Sequence, residues 1–398
     1  MTSLHRLDVL ILGGGAAGLW LLDDLHRQGY SAALAEASTL GSGQTIASQG
    51  IIHGGLKYAL NGKGGSAARA IRDMPLRWRR SLAGEVEPDL SRTRRRAEYC
   101  CIWAAPGMRS KIGLLGASLG LAVKPIALNK ETRPALLRDW KGQVLRLGEQ
   151  VIEPGSFLQV LADRHLKRIL RVDGTQGVDI KASPTGEIRE VALRCPGGKE
   201  MLVQPDQVVL AAGEGNSRIR NRLGLPVEHI QRRPLQMVML RGDLPTMNGH
   251  CIRNASPWLT ITSTQDHADR MVWQIGGQVA EDTARSTASI AINRAREDLN
   301  HALPSLDLST IQFSTYLAER AEGTSSGRRP DRPTTFVDGN VITVWPTKLA
   351  LVPMLSDMIQ EDLKPPADHP PFQGQENWPT ASVAIPPWEM ESSWTNAH

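Results

Sequence analysis

The stretch Asp8-Val9-Leu10-Ile11-Leu12-Gly13-Gly14-Gly15-Ala16-Ala17-Gly18, answered by Glu36 at the end of a second apolar run, decides the fold. Val9 to Leu12 form a short unbroken apolar run, as a strand buried on both faces of a parallel sheet requires. Gly13 permits the tight turn that follows. Gly15 lets backbone N–H groups approach a pyrophosphate at the positive N-terminus of a helix expected from about Ala16 to Gln28, and Gly18 lets that helix lie close against the strand. Ser31 to Ala35 read as the second strand, and Glu36 stands 18 residues after Gly18. A carboxylate there accepts both hydroxyls of an adenosine ribose and repels a 2′-phosphate, so NADP is disfavoured. Glycines at this spacing are a weak signal alone. With strand, helix, second strand and acid in register they read as a dinucleotide clamp.

Composition sets the wider frame. A chain of 398 residues with 41% apolar and 22% charged residues is expected to form a globular protein of two lobes. The balance of 46 Lys+Arg against 41 Asp+Glu gives a mild net charge of +5. Basic residues are nevertheless concentrated in Arg77-Trp78-Arg79-Arg80, Arg92 to Arg96, Arg232-Arg233 and Arg328-Arg329. Without aromatic or motif support these runs do not point to nucleic acid; they suit a solvated face, an anionic small substrate or a peripheral contact with an acidic membrane surface. Cys100, Cys101, Cys195 and Cys251 have no C-x-x-C spacing and no histidine set beside them, so neither a metal site nor a disulfide framework is expected. With no signal-peptide core and no spanning helix in the pattern, the expected location is the cytoplasm. The oligomeric state is left open.

Along the chain, Gly41 to Gly55 is a Gly/Ser/Thr-rich loop, and about Ser66 to Ala83 suits a helix that Pro75 would break. Tyr99 to Ala104 and Leu121 to Ile126 read as strands, and Gly155 to Ile169 as a helix. Strands are then expected at Val178–Lys181, Ile188–Leu193, Met201–Val203 and Gln207–Ala212, the last ending at Gly213. A short helix should follow through Arg220 to Leu223. Further strands are expected at Gln236–Leu240, Leu259–Ser263, Met271–Ile275 and Val341–Val344, with helices from about Thr287 to Ala302 and Leu349 to Leu363. From Lys364 the chain is Pro-rich, with Trp378 and Trp388 suggesting an extended tail that packs on the body.

This order of parts resembles the FAD-dependent oxidoreductases of the D-amino-acid oxidase and glycerol-3-phosphate dehydrogenase superfamily. The resemblance runs to about Leu363. It is most specific in Ser48-Gln49-Gly50-Ile51-Ile52-His53-Gly54-Gly55-Leu56-Lys57-Tyr58, which is similar to the Ile-His-Gly-Gly-Leu-Arg-Tyr of glycerol-3-phosphate dehydrogenases and the Ile-His-Ala-Gly of L-2-hydroxyglutarate oxidases. Gly327-Arg328-Arg329-Pro330 is similar to their Gly-Val-Arg-Pro, and Thr347-Lys348-Leu349 to their Gly-Lys-Leu-Thr. Lys57 replaces the arginine, Trp345-Pro346 replaces the glycines before Lys348, and the extra C-terminal domain of glycerol-3-phosphate dehydrogenases is missing. The resemblance implies an α/β fold. A Rossmann-like FAD-binding domain of the glutathione-reductase type (1–75, 150–230 and 325–363) would interleave with an antiparallel β-sheet substrate domain (76–149 and 231–324), with 364–398 as the tail.

FAD is the expected cofactor. Gly13, Gly15, Ala16, Ala17, Gly18, Glu36, Ala37, Gly43, Gln44, Thr45, Ser48, Gln49, Gly50, Val178, Ala212, Gly213, Thr347, Lys348 and Leu349 would hold it, with Gly43, Thr45, Ser48 and Gln49 offering donors to phosphate and ring oxygens. His53 has three readings: a base for a substrate hydroxyl, a covalent attachment point for the flavin as in related dimethylglycine and sarcosine dehydrogenases, or a partner for nearby backbone. Lys57, Tyr58, Arg329 and Lys348 match family positions around an anionic substrate, Arg329 through its planar fork and the lysines as point charges. His250 and His267 lie in or beside the β-rich block and are read as structural. The expected chemistry is hydride transfer to flavin from a CH–OH carbon of a small anionic substrate, a 2-hydroxy acid or polyol phosphate, with reoxidation by O₂, a quinone or another carrier. Three rivals stand beside it. They are oxidation of a CH–NH group, a flavin monooxygenase suggested by Val208 to Arg220, and a non-catalytic FAD-bound partner protein.

Overall fold

The computed structural model describes residues 4–396 apart from 55–70, 72, 106–124, 175, 184–185, 229, 254–255, 325–329 and 331. Its first sheet is built on the clamp. Leu4–Leu12 lies at the centre, pairing in parallel with Ala32–Glu36 on one side and Glu200–Leu210 on the other. Ile169–Arg171 adds in parallel beyond Ala32–Glu36, and Val341–Trp345 in parallel beyond the C-terminal half of Glu200–Leu210. The N-terminal half of that long strand uses the same edge differently. It carries the antiparallel hairpin of Val178–Ala182 and Ile188–Arg194.

The apolar run of the first strand is buried on both faces, as its lack of alternation demands. On one face the helix Ala16–Arg27 brings Trp20 against Trp78 and Phe157, with Trp20–Trp78 centroids 4.9 Å apart. Trp78 belongs to the helix Met74–Leu82, which therefore packs into this core. Pro75 occupies the first turn of that helix, where a missing N–H costs nothing, so the proline marks its start just after a turn at Asp73, and residues 66–70 of the expected span lie outside the described residues.

The second sheet runs in the order Thr395–Asn396, Gln312–Gly323, Ile230–Gly242, Met271–Gly277, Ser256–Gln265, Gly249–Arg253, Cys100–Ala104, Val144–Leu147, Ile126–Ala127. It is antiparallel except where Gly249–Arg253 meets Cys100–Ala104 in parallel. The helix Ala288–Ala302, capped by Thr287 accepting the Ile290 N–H, lays Ala291, Ala295, Leu299 and Ala302 on this sheet. Small residues let it approach closely enough for the Trp103 indole to donate to the Ala302 carbonyl at 3.2 Å.

The C-terminal segment ties the two sheets together. Trp378 is buried with its indole donating to the Arg171 carbonyl, Val383 bridges Leu40, Trp388 packs on Met239 and Val272, and Thr395–Asn396 pairs with Gln312–Phe313. Among the described residues no helix is long and apolar enough to cross a membrane.

Candidate active site

The clamp has the geometry its glycines require. Gly13 sits at φ +117°, and a Cβ there would lie 2.6 Å from backbone atoms of Ala211 and Ala212. Gly15, at the N-cap, has no side chain to cap the helix, and the Ala16 amide donates instead to Thr45 Oγ1 at 3.1 Å. Glu36 Oε2 accepts from the Gly14 N–H at 2.6 Å and Oε1 from the Ser38 N–H at 2.7 Å, which fixes the carboxylate at the end of its strand. Burial raises its pKa, against the pull of these amide donors.

A cleft of about 1140 Å³ runs from Glu36 past the Gly13–Ala17 turn to Lys348. Gly13, Gly15, Ala16, Ala17, Glu36 and Ala37 line it. So do Gly43, Gln44, Thr45, Ser48, Val178, Ala212, Gly213, Lys348 and Leu349. Gly18 lies beneath it, against the strand turn. A second cavity of about 620 Å³ is lined by Gln49, Gly50, His53 and Thr347. The two spaces meet at Gln44, Ala47, Ser48, Ala318, Lys348 and Leu349.

The residues present fit a bound dinucleotide of the FAD kind. Glycines stand where the pyrophosphate must approach, and a held carboxylate where the ribose must end. At the junction, the Ser48 hydroxyl is buried with no partner among the described residues, which a ring substituent would satisfy. Thr347 adopts φ +61°, a left-handed conformation uncommon for a threonine, and so turns the chain at the junction. The Gln49 side-chain amide is committed elsewhere. It donates to Thr260 O, Thr262 Oγ1 and Gln274 O, and so pins the 41–54 loop to the second sheet.

His53 is positioned by strand register. Ile51 bridges Val151 in antiparallel fashion, with Ile52 N donating to Gln150 O and Ile152 N to Gly50 O, and the register carried on sets His53 opposite Glu149. His53 Nδ1 lies 3.5 Å from Glu149 Oε2, with the His53 side chain 39% exposed and Glu149 only 4%. The same carboxylate oxygen is 3.2 Å from His250 Nε2, whose ring places Nδ1 3.0 Å from Thr260 Oγ1. Glu149 Oε1 accepts the Gly54 N–H at 2.7 Å. Burial alone would raise the Glu149 pKa, but the two histidines hold it far below the usual carboxylate range; His53, whose ring lines the cavity, is lowered, chiefly by desolvation there.

Charged groups of both signs line the second cavity. Lys348, Arg253 and Arg320 stand beside Glu281 and Asp282, with Arg253 stacked on Trp258 and the buried Arg320 paired with Glu281. Lys57, Tyr58 and Arg329 lie outside the described residues. His267 is exposed and paired with Glu389 of the C-terminal segment. Glu149 escaped the sequence reading altogether, because its role comes from a strand register that no local pattern encodes. His250, expected from the sequence to be structural, shares the Glu149 carboxylate with His53.

A Rossmann-type sheet with this cleft, opening onto a mostly antiparallel sheet, defines a flavoprotein of the two-domain oxidoreductase class. Residues 8–350 match the FAD dependent oxidoreductase family, and the chain belongs to it. It is 36% identical over 400 residues to a Pseudomonas aeruginosa protein described as a probable FAD-dependent oxidoreductase, covering 98% of this chain and 99% of that one. A crystal structure of an FAD dependent oxidoreductase from the same organism superposes with a TM-score of 0.81 at 32% identity, covering 98% of this chain and 99% of that one. More distant in sequence are an L-alpha-glycerophosphate oxidase of Mycoplasma pneumoniae with FAD bound (TM-score 0.64, 16% identity, 96% and 99% covered) and a glycine oxidase of Geobacillus kaustophilus (TM-score 0.64, 14% identity, 94% and 99% covered). The protein is an FAD-dependent oxidoreductase.

Proposed function

We propose that the protein oxidises the CH–OH carbon of a small anionic substrate, a 2-hydroxy acid or a polyol phosphate, to the corresponding carbonyl. The observation that carries this reading is His53, backed by a carboxylate, in a cavity that meets the cofactor cleft at the cation Lys348. Bound FAD supplies the acceptor for the hydride. His53, its pKa lowered by burial and so neutral near pH 7, takes the hydroxyl proton through Nε2. Lys348, with Arg329 from its family position, holds the anion so that the reacting carbon lies toward the cleft. The electrons leave afterwards to O₂, a quinone or another carrier.

The test is anaerobic mixing of the FAD-bound protein with L-lactate, L-2-hydroxyglutarate, glycerol 3-phosphate, glycine and sarcosine, following loss of the oxidised-flavin absorbance. Reduction by a hydroxy acid or a polyol phosphate is the expected result. Reduction by the amines alone would assign CH–NH chemistry in its place.

A further inference from the structure

We propose that Glu149 is a positioning residue for His53: it holds the ring with its proton on Nδ1 and Nε2 turned to the cavity, while His250 regulates the basicity of the pair by sharing the same carboxylate oxygen. The inference deepens the proposed function, and its central measurement does not depend on that function.

The hydrogen-bond inventory of the carboxylate carries the argument. Glu149 is nearly fully buried, and a buried carboxylate needs donors on both oxygens. Oε1 has the Gly54 N–H. Oε2 faces two imidazole nitrogens, and only N–H groups satisfy it there. His250 must therefore present Nε2–H, which leaves its Nδ1 to accept from the Thr260 hydroxyl at 3.0 Å. His53 must present Nδ1–H, which leaves Nε2 as the nitrogen able to take a proton.

At 3.5 Å the His53 contact is longer than a good N–H···O bond, while the His250 contact is 3.2 Å. The neutral His53 is thus held loosely, and the contact can tighten when the ring becomes a cation. A proton arriving at Nε2 turns a group of net charge −1 into a neutral one in a buried setting, so the carboxylate favours the imidazolium form more than the neutral ring. His250 limits this effect, because its N–H draws on the same oxygen. The charged and titratable groups facing His53 are Glu149, His250 and Lys348. Lys348 opposes protonation from the cofactor side.

The unit also crosses the two halves of the molecule. His53 and Gly54 belong to the loop that leaves the cofactor sheet, His250 to the second sheet, and Glu149 to the turn between Val144–Leu147 and Val151–Ile152. One carboxylate therefore joins proton handling at His53 to a contact between the loop and the second sheet.

The test is histidine NMR on the FAD-bound protein labelled with ¹⁵N and ¹³C in its histidines. Long-range nitrogen–carbon correlations report which His53 nitrogen carries the proton, and a pH titration gives its pKa. Wild type should show Nδ1–H. Glu149→Gln should lower the His53 pKa by about one unit or more, the effect of losing an opposite charge at this distance, and should mix the two tautomers. His250→Leu should move the pKa in the opposite direction, because the whole carboxylate then serves His53, and Glu149→Asp should recover part of the wild-type value. A merely structural Glu149 would not give opposite shifts in folded variants. Nε2–H in wild type, an unmoved pKa in Glu149→Gln, or a divalent metal copurifying one per chain and lost in that variant would overturn the proposal. Should none of the five probes bleach the flavin, the proposed substrate class fails, while the NMR result still decides the role of Glu149.

Discussion

Gly18 passes so close beneath Gly13 that a Cβ on Gly18 would stand 2.0 Å from the Gly13 carbonyl oxygen. At Gly15 the same addition meets only Thr45 Oγ1, at 3.5 Å, an ordinary contact. The two glycines therefore do different work. Gly18→Ala must push the first helix off its strand, and should lower the melting temperature and FAD content together, with the ~1–3 kcal/mol typical of overpacking. Gly15→Val should leave the fold near wild type and lose FAD, since its branches enter the space of the pyrophosphate. Thermal unfolding of both proteins, with flavin released and counted per chain, checks this. Equal melting losses in the two variants would contradict it.

Glu36 makes FAD retention depend on pH. Its pKa is raised by burial, and ribose hydroxyls donating to it would favour the charged form. Protonation removes acceptor capacity, so FAD binds most tightly above the raised pKa and weakens as pH falls through it. We expect FAD titrations to show a larger dissociation constant at pH 5 than at pH 7. In Glu36→Gln affinity at pH 7 should be lower by about tenfold, one charged hydrogen bond's worth, and most of the pH dependence should vanish, so that variant and wild type converge as the pH falls.

The clamp was legible because every part of it is local: a double-buried run, glycines at fixed offsets and an acid at the next strand end. Gln312–Gly323 was not, and no strand was expected there. Its second half, Leu317-Ala318-Glu319-Arg320-Ala321-Glu322, consists of good helix formers. It is a strand because it pairs with Ile230–Gly242 over its whole length, a partner about eighty residues away in sequence, and tertiary pairing overrides propensity. The site divides in the same way. His53 sits in a readable motif, whereas Glu149 reaches it only through the pairing of residues 50–52 with 150–152.

For His53 the direction of the pH effect follows from burial. Its pKa is lowered from the ordinary value of 6.5, so the base-competent neutral ring persists to mildly acidic pH. The second-order rate of flavin reduction at low substrate, which reports the substrate-free protein, should be flat near neutrality and should fall on the acid side, with an apparent midpoint below that ordinary value. His53→Ala should retain FAD, reduce ~10²–10⁴-fold more slowly, and lose this acid limb. Stopped-flow reduction across pH measures all three. Acid precipitation of wild type should leave the pellet colourless, because the proposed base keeps Nε2 free; a yellow pellet would make His53 an attachment point.

Lys348 lies where cleft and cavity meet, and it follows Thr347, whose φ of +61° turns the chain there. A point charge in that position can hold a carboxylate or phosphate beside the reacting carbon without needing the planar fork of an arginine. Lys348→Met removes the charge and keeps most of the length, so substrate binding should weaken by about tenfold or more, the ~1.5–3 kcal/mol of a hydrogen bond to a charged group. Lys348→Arg keeps the charge and should recover a large part of that loss, though a bulkier head at the junction should slow reduction. The measurement is the substrate dependence of anaerobic flavin reduction, using whichever of the five probes bleaches the flavin in wild type. If Lys348→Met binds that probe as tightly as wild type, the anion is held elsewhere in the cavity, and Arg253 and Arg320 become the groups to replace next.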